Sequence, residues 1–119
     1  MSESHVVSAI LLQIGSRPDV RLWRSQPLVA HDRAGRKIRA LPKGHPDLTG
    51  LLRLPGGWCA PLFVEAKSDD GRLSPEQRQW KAILESWGAC YVTARSVADV
   101  ERAIESYVAA HRARLQSIL

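Results

Sequence analysis

Apolar residues follow two spacings along the chain, and these separate predicted helices from predicted strands. In residues 3–14 they recur every three or four positions, as on one face of a helix, and Ser2 can cap its first turn. Residues 20–24 alternate between apolar and polar, which predicts a strand that can continue past Pro27 into residues 28–30. Residues 31–45 hold glycines, basic residues and Pro42, so we expect a loop or a hairpin excursion there.

The centre of the chain predicts a hairpin. Two apolar strands, at residues 47–54 and 62–67, flank the turn sequence Pro55-Gly56-Gly57. Pro61 lacks the N–H that a paired strand uses, so it fits the entry of the second strand better than its middle.

The remaining residues predict a helix, a strand and a helix. Ser74-Pro75-Glu76-Gln77 opens a helix, with serine at the cap and proline at the first helical position. Its apolar stripe (Trp80, Ile83, Leu84 and Trp87) is expected in the core, which leaves Trp58 as the tryptophan expected at the surface. Residues 89–94 form a short buried strand, and a last helix starts after Ser96.

The order helix, strands, hairpin, helix, strand, helix (α-β-β-β-α-β-α) predicts an α/β fold. The connection through residues 74–88 is long enough for a parallel crossover, so we expect a mixed sheet flanked by helices. A length of 119 residues is typical of a single domain, here taken as residues 1–119.

Composition points to a cytoplasmic protein. No apolar run approaches the roughly 20 residues that span a bilayer, and the N-terminus lacks the features of a signal peptide. Cys59 and Cys90 have no metal-ligand spacing, so two free thiols are expected.

Basic residues are concentrated before residue 47. The chain carries 17 Lys and Arg against 12 Asp and Glu, a formal net charge of +5. No acid occurs between Asp32 and Asp47, and that stretch contains Arg33, Arg36, Lys37, Arg39 and Lys43. Such a run is often only a solvated loop, but its position before candidate metal ligands favours contact with phosphates.

Two carboxylates and a lysine are the candidate chemistry. Asp47 and Glu65 are equidistant from Gly56, so an antiparallel hairpin makes them cross-strand neighbours. Lys67, two residues beyond Glu65, emerges on the same face. Mg²⁺ or Mn²⁺ takes one or two carboxylates, the Ala66 carbonyl can add an oxygen, and Lys67 can position or deprotonate a water or offset phosphate charge. Taken one at a time, Glu65 and Lys67 also suit an ordinary surface ion pair, and Asp47 also suits the cap of a turn.

The same residues carry a family resemblance. The segments GHPDL (44–48), FVEAK (63–67) and LSPEQ (73–77) resemble the VRR-NUC (virus-type replication-repair nuclease) domain, in its standalone phage or bacterial form. This family is part of the PD-(D/E)xK nuclease superfamily, which has a restriction-endonuclease-like fold. The likeness extends to residues 21–24 and 88–96.

The resemblance implies roles for individual residues. Asp47, Glu65 and the Ala66 carbonyl would bind the metal, Lys67 would be catalytic, and Gln77 would face the site. Glu3 matches a helix-1 glutamate that the family places near the metal, in contact with it directly or through a water. Helix capping is an equal explanation for Gln77, and the helix dipole is one for Glu3. His45 stands where a small residue is usual, and contact with a phosphate is one explanation for it.

The expected function is a Mg²⁺- or Mn²⁺-dependent DNA endonuclease. The resemblance implies branched DNA, such as Holliday junctions, cut by a homodimer in DNA repair or replication. The expected DNA contacts are Arg36, Lys37, Arg39, Lys43 and His45. Two alternatives stay open: a catalytically silent nucleic-acid-binding module, and a nuclease for flap, nicked or linear duplex DNA.

Overall fold

The computed structural model describes residues 1–25, 29–39 and 41–118, with the backbone alone at Val29, Ala30 and Arg39. Residues 27 and 28, where the first strand was expected to continue, lie outside this description. The helices are α1 (Glu3–Gln13), α2 (Pro75–Ser86) and α3 (Val97–Ile118). The strands are β1 (Val20–Arg24), β2 (Val29–His31), β3 (Lys37–Arg39), β4 (Leu48–Leu54), β5 (Trp58–Ala66) and β6 (Cys90–Ala94).

The main sheet has four strands in the order β1-β4-β5-β6. Strand β4 is antiparallel to both β1 and β5, whereas β6 runs parallel to β5 after the crossover through α2. This confirms the predicted α/β fold with a mixed sheet flanked by helices. The expected excursion between β1 and β4 is a separate two-stranded antiparallel sheet, β2-β3.

The β4-β5 hairpin has the predicted register. Its pairs run from Leu54↔Trp58 at the turn to Leu48↔Val64 at the far end. Gly56 and Gly57 adopt φ angles of +84° and +83°, a conformation that glycine reaches without strain. One step beyond Leu48 and Val64 come Asp47 and Glu65, so the hairpin brings the two carboxylates together.

The expectation for Pro61 is wrong. Strand β5 starts at Trp58, and Pro61 lies within it, paired with Leu51 of β4. Pairing with β6 starts only at Leu62, opposite Cys90. At Pro61 the strand therefore has a neighbour on one side, and the missing N–H requires no partner there.

The main core lies between the sheet and helices α1 and α3. Alternate side chains of the sheet pack against both helices in one buried cluster. The cluster includes Leu52, Leu62, Val64 and Val92 from the sheet, Val6 and Ile10 from α1, and Val100 and Ile104 from α3. Because side chains alternate along a strand, Phe63, Glu65, Tyr91 and Thr93 project to the opposite face, where α2 lies.

The expectation that α2 buries its apolar stripe is wrong for most of the stripe. Only Leu84 is buried, whereas Ile83 is 41% and Trp87 79% exposed. Trp23 and Trp58 are also exposed. The reason is that α2 covers a sheet face bearing Glu65 and hydroxyl groups, so the side of the helix turned to the sheet presents Gln77 as well as Leu84.

Within the described parts of the chain, no helix has the length and apolar character needed to cross a membrane.

Candidate active site

Asp47 is held from two sides at the start of β4. Its backbone carbonyl accepts a hydrogen bond from the Ser25 N–H at 2.8 Å, which continues the β1-β4 pairing. Its Oδ2 accepts one from the Ala66 N–H at 2.8 Å, across the hairpin. The half-buried carboxylate is thereby fixed beside β5.

Glu65 is the buried carboxylate of the pair, with 2% of its surface exposed. Its Oε1 accepts a hydrogen bond from Nε2 of Gln77 at 3.0 Å, and its buried Oε2 has no partner within the described residues. Burial raises the pKa of Glu65 to about 8, and the charge of Asp47 adds to the shift, while Lys67 opposes it. A buried oxygen without a partner is costly unless something binds there.

Lys67 lies between two carboxylates. Its backbone N–H donates to the Ala94 carbonyl at 2.9 Å, which extends the β5-β6 pairing by one residue. Its Nζ is 3.9 Å from Oε1 of Glu65 and 4.0 Å from Oε1 of Glu3, and the residue is 7% exposed. Glu3 thus reaches the site through Lys67. Its predicted link to a metal stays a prediction.

Gln77 serves both purposes that the sequence left open. Its Oε1 accepts from the Ser74 N–H at 2.8 Å, and its N–H donates to the Ser74 hydroxyl at 3.1 Å, which is a capping box. Its Nε2 donates to Glu65. The same amide caps α2 and orients the buried carboxylate.

The loop before Asp47 is attached to α2. Nε1 of Trp80 donates to the Lys43 carbonyl at 3.1 Å, and the Lys43 ammonium lies 3.5 Å from Glu76. The His45 ring packs edge-on against Trp80 and Phe63, and its Nδ1 donates to the Pro46 carbonyl at 3.0 Å. Sequence reasoning assigned Trp80 to the core and missed this role.

The other basic candidates lie in the β2-β3 sheet. Arg36 is exposed, and its Nε donates to Asp32 at 2.7 Å. Lys37 starts β3 and is exposed. The side chain of Arg39 lies outside the described part of the chain. The structure therefore groups Lys43 and His45 near Asp47, and Arg36 and Lys37 on a separate hairpin.

The donor set fits Mg²⁺ or Mn²⁺. Across residues 1–25, 29–39 and 41–118, no three His, Cys, Asp or Glu side chains group closely enough to hold a metal alone. Two carboxylates, one with a buried oxygen lacking a partner, match a hard cation that keeps water and substrate ligands. Asp47, Glu65 and the Ala66 carbonyl are the residues that would hold it.

Tyr91 and Thr93 also face the α2 side, and sequence reasoning did not single them out. In the parallel register Tyr91 is opposite Phe63, and Thr93 is opposite Glu65. Burial, with a contribution from the charge of Glu65, raises the pKa of Tyr91 to about 12, so its hydroxyl keeps its proton. The alternation of side chains along the strand at residues 89–94 was the sequence feature that could have placed both residues on this face.

Comparisons with known proteins agree on one family. The model of the VRR-NUC domain family matches residues 24–98. A solved structure described as a VRR_NUC domain is similar, with a TM-score of 0.57 and 23% identity over 88% of this chain and 96% of that one. Another, described as a VRR_NUC domain protein, has a TM-score of 0.56 and 19% identity over 91% and 88%.

No curated protein sequence matches the chain. The family match covers more than half of the residues and includes Asp47, Glu65, Lys67 and Gln77. Both similar structures indicate the same overall fold. The chain belongs to the VRR-NUC domain family and has its nuclease-type fold.

Proposed function

We propose that this protein is a DNA endonuclease that hydrolyses phosphodiester bonds with Mg²⁺ or Mn²⁺. The observation that carries the proposal is the buried Oε2 of Glu65, which makes no hydrogen bond of good geometry within the described residues and lies beside Asp47, with the Lys67 ammonium 3.9 Å from the other Glu65 oxygen. Membership in a nuclease family supports the reaction class. In this proposal residues 1–119 act as one domain in the cytoplasm.

The chain's own residues divide the work. Asp47 and Glu65, with the Ala66 carbonyl, would hold the metal, and Gln77 keeps Oε1 of Glu65 turned towards α2. The bound metal would supply a more acidic water and a counter-charge for the phosphate. Lys67, between Glu65 and Glu3, presents a fixed ammonium that can position the attacking water and offset negative charge as the P–O bond breaks.

Branched DNA is the substrate class that we propose. The net charge of +5 and the basic residues before Asp47 suit binding through phosphates and shape. Symmetric incision of a junction needs two sites related by a two-fold axis, hence a homodimer. Helix α3 is 22 residues long; Tyr107, Val108 and His111 continue its contacts with this chain, and its exposed outward side is the surface that we assign to a second copy.

A silent nucleic-acid-binding module is the alternative from another class. The described site argues against it, because Asp47, Glu65, Lys67 and Gln77 are present and brought together. A nuclease for flaps, nicks or linear duplex keeps the same chemistry and differs only in substrate.

Cleavage of a labelled four-way junction and a matched linear duplex, in Mg²⁺, Mn²⁺ or EDTA, tests the proposal. We expect paired, metal-dependent cuts in the junction. Lys67→Ala should abolish cutting while DNA affinity stays within about threefold, because most affinity comes from other phosphate contacts. Arg53→Ala, at an exposed position of β4 near the hairpin turn, is the matched control.

Each other outcome has a definite meaning. Equal cutting of both substrates would keep the nuclease and reject the junction preference. Binding without cutting in either metal would favour the silent module. Equal losses of cutting and binding in Lys67→Ala would remove Lys67 from catalysis.

A further inference from the structure

A cavity lies beside the candidate active site, between α2, β6 and the first turns of α3. Its volume is about 520 Å³, and its polar lining includes Lys81, Tyr91, Thr93, Arg95 and Arg102. Thr93 is the neighbour of Glu65 in the parallel register, so the cavity adjoins the buried carboxylate. Lys81 comes four residues after Gln77, about 6 Å further along the axis of α2.

Two hydroxyl groups in this lining are unsatisfied. The Tyr91 hydroxyl and Oγ1 of Thr93 are both buried and make no hydrogen bond of good geometry within the described residues, although the two groups lie close enough to each other to interact. A buried hydroxyl without a partner costs free energy, and such groups are usually satisfied by protein, water or a ligand. Two of them in one open cavity indicate that the cavity is built to hold a polar group.

The charges around the cavity favour an anion. Lys81 makes no hydrogen bond or ion pair with the described part of the chain, while Arg95 donates to the Gly71 carbonyl and Arg102 to Asp99. Asp99 is engaged further by the Arg95 N–H. Glu85 is the remaining carboxylate in the lining, and it is exposed. The open cavity thus offers two hydroxyls and the half-buried Lys81, whose ammonium makes no ion pair within the described residues although Glu85 follows it by one helical turn.

We propose that this cavity is a subsite for a non-scissile phosphate of the DNA strand, held by the Lys81 ammonium and the hydroxyls of Tyr91 and Thr93. The inference rests on the proposed nuclease function, since it places the phosphate one step along the strand from the reacting one. Lys81, Tyr91 and Thr93 bind the backbone and take no part in bond cleavage.

Isosteric variants separate this role from a structural one. Tyr91→Phe and Thr93→Val remove hydroxyls that make no hydrogen bond of good geometry with the described part of the chain, so neither change should lower the melting temperature measurably. We expect each to weaken DNA binding about three- to tenfold in fluorescence anisotropy with EDTA. Lys81→Ala should do the same and reduce the salt slope by about one, and Lys81→Arg should restore both. Arg53→Ala, at an exposed position of β4, is the control cation.

A single neutral linkage identifies the ligand. We would place one methylphosphonate at each successive position of a duplex in turn. At one position the neutral linkage should weaken binding by the wild-type protein, and at that same position it should not further weaken binding by Lys81→Ala. Competition by inorganic phosphate at millimolar concentration, without any position-dependent loss, would mean a free-anion site and overturn the backbone assignment.

The subsite and the nuclease can fail independently, because the binding measurements need no metal. Unchanged affinity in Tyr91→Phe, Thr93→Val and Lys81→Ala would reject the subsite even if wild type cuts DNA. Weakened binding in a protein that cuts no substrate would keep the subsite and reject the nuclease. A melting temperature lowered by Tyr91→Phe would show that its hydroxyl stabilises the fold, which also overturns the proposal.

Discussion

Nε2 of Gln77 donates a hydrogen bond to Oε1 of Glu65 at 3.0 Å, while Oε1 of the same amide accepts from the Ser74 N–H at 2.8 Å. One side chain therefore joins the first turn of α2 to the buried carboxylate of β5. Both ends of the amide are in use, so capping and orientation of Glu65 are coupled in this residue.

Gln77→Glu separates the two roles. The new carboxylate can still accept from the Ser74 N–H, but it cannot donate to Glu65 and adds a negative charge beside it. We expect cleavage to fall at least about tenfold, because a hydrogen bond to a charged group is lost, with little change in melting temperature. Gln77→Ala should also cost about 1 kcal/mol of stability through the lost cap. Wild-type cleavage by Gln77→Glu would leave capping as the sole role.

Asp47→Asn tests the metal site without breaking the hairpin. The amide oxygen can still accept from the Ala66 N–H, whereas the negative charge is lost. Calorimetry should show Mn²⁺ binding weakened by more than about a hundredfold, beyond the roughly 10- to 100-fold losses typical of outer-shell partners. Asp70→Asn, at an exposed loop position, is the matched control. An unchanged Mn²⁺ affinity would remove Asp47 as a ligand.

The stability of the metal-free protein should depend on the protonation of Glu65. Its pKa is about 8 in the folded state against an ordinary value of 4.5. Between those values the folded state binds more protons than the unfolded state, so the free energy of unfolding falls as pH rises from about 4.5 to 8. Each unit of difference between the folded and unfolded pKa corresponds to about 1.4 kcal/mol in the free energy of unfolding.

Glu65→Gln removes this dependence. In EDTA the variant should have a higher melting temperature than wild type at pH 8, and the difference between the two melting temperatures should shrink towards pH 5. Mn²⁺ should raise the melting temperature of wild type more than that of the variant. A gap that widens towards pH 5 would contradict the raised pKa.

The basic β2-β3 hairpin should contribute to DNA affinity. Replacing Arg36, Lys37 and Arg39 together by alanine should weaken binding and reduce the slope of log K against log salt by up to about three. Arg36 already pairs with Asp32, so its share should be the smallest.

A triple replacement of Arg53, Arg112 and Arg114, all exposed in other elements, is the charge-matched control. Equal salt slopes in the hairpin variant and wild type would show that the basic run is only a solvated surface.

The sequence predicted the hairpin and its carboxylate pair because both depend on local rules. Antiparallel pairing around the glycine turn determines the partner of every residue, so Asp47 and Glu65 could be matched by position. The start of α2 was equally clear from Ser74 and Gln77.

What the sequence missed depends on long-range packing. An apolar stripe on α2 does not reveal which side meets the sheet, and Trp87 consequently ended at the surface. The environment of Pro61 depends on where β6 begins, which is set by a crossover that ends only at Cys90. The unsatisfied hydroxyls of Tyr91 and Thr93 are visible only once α2, β6 and α3 are assembled.

The tight Pro55–Gly57 turn has a consequence for how this chain can change in length. Loss of one residue from β4 or β5 would turn every following side chain to the opposite face and separate Asp47 from Glu65. The loop joining β2 to β3 lies outside the four-stranded sheet, so insertions and deletions there leave that register intact. Insertions and deletions should therefore be tolerated during evolution in the β2-β3 excursion and selected against in the β4-β5 hairpin.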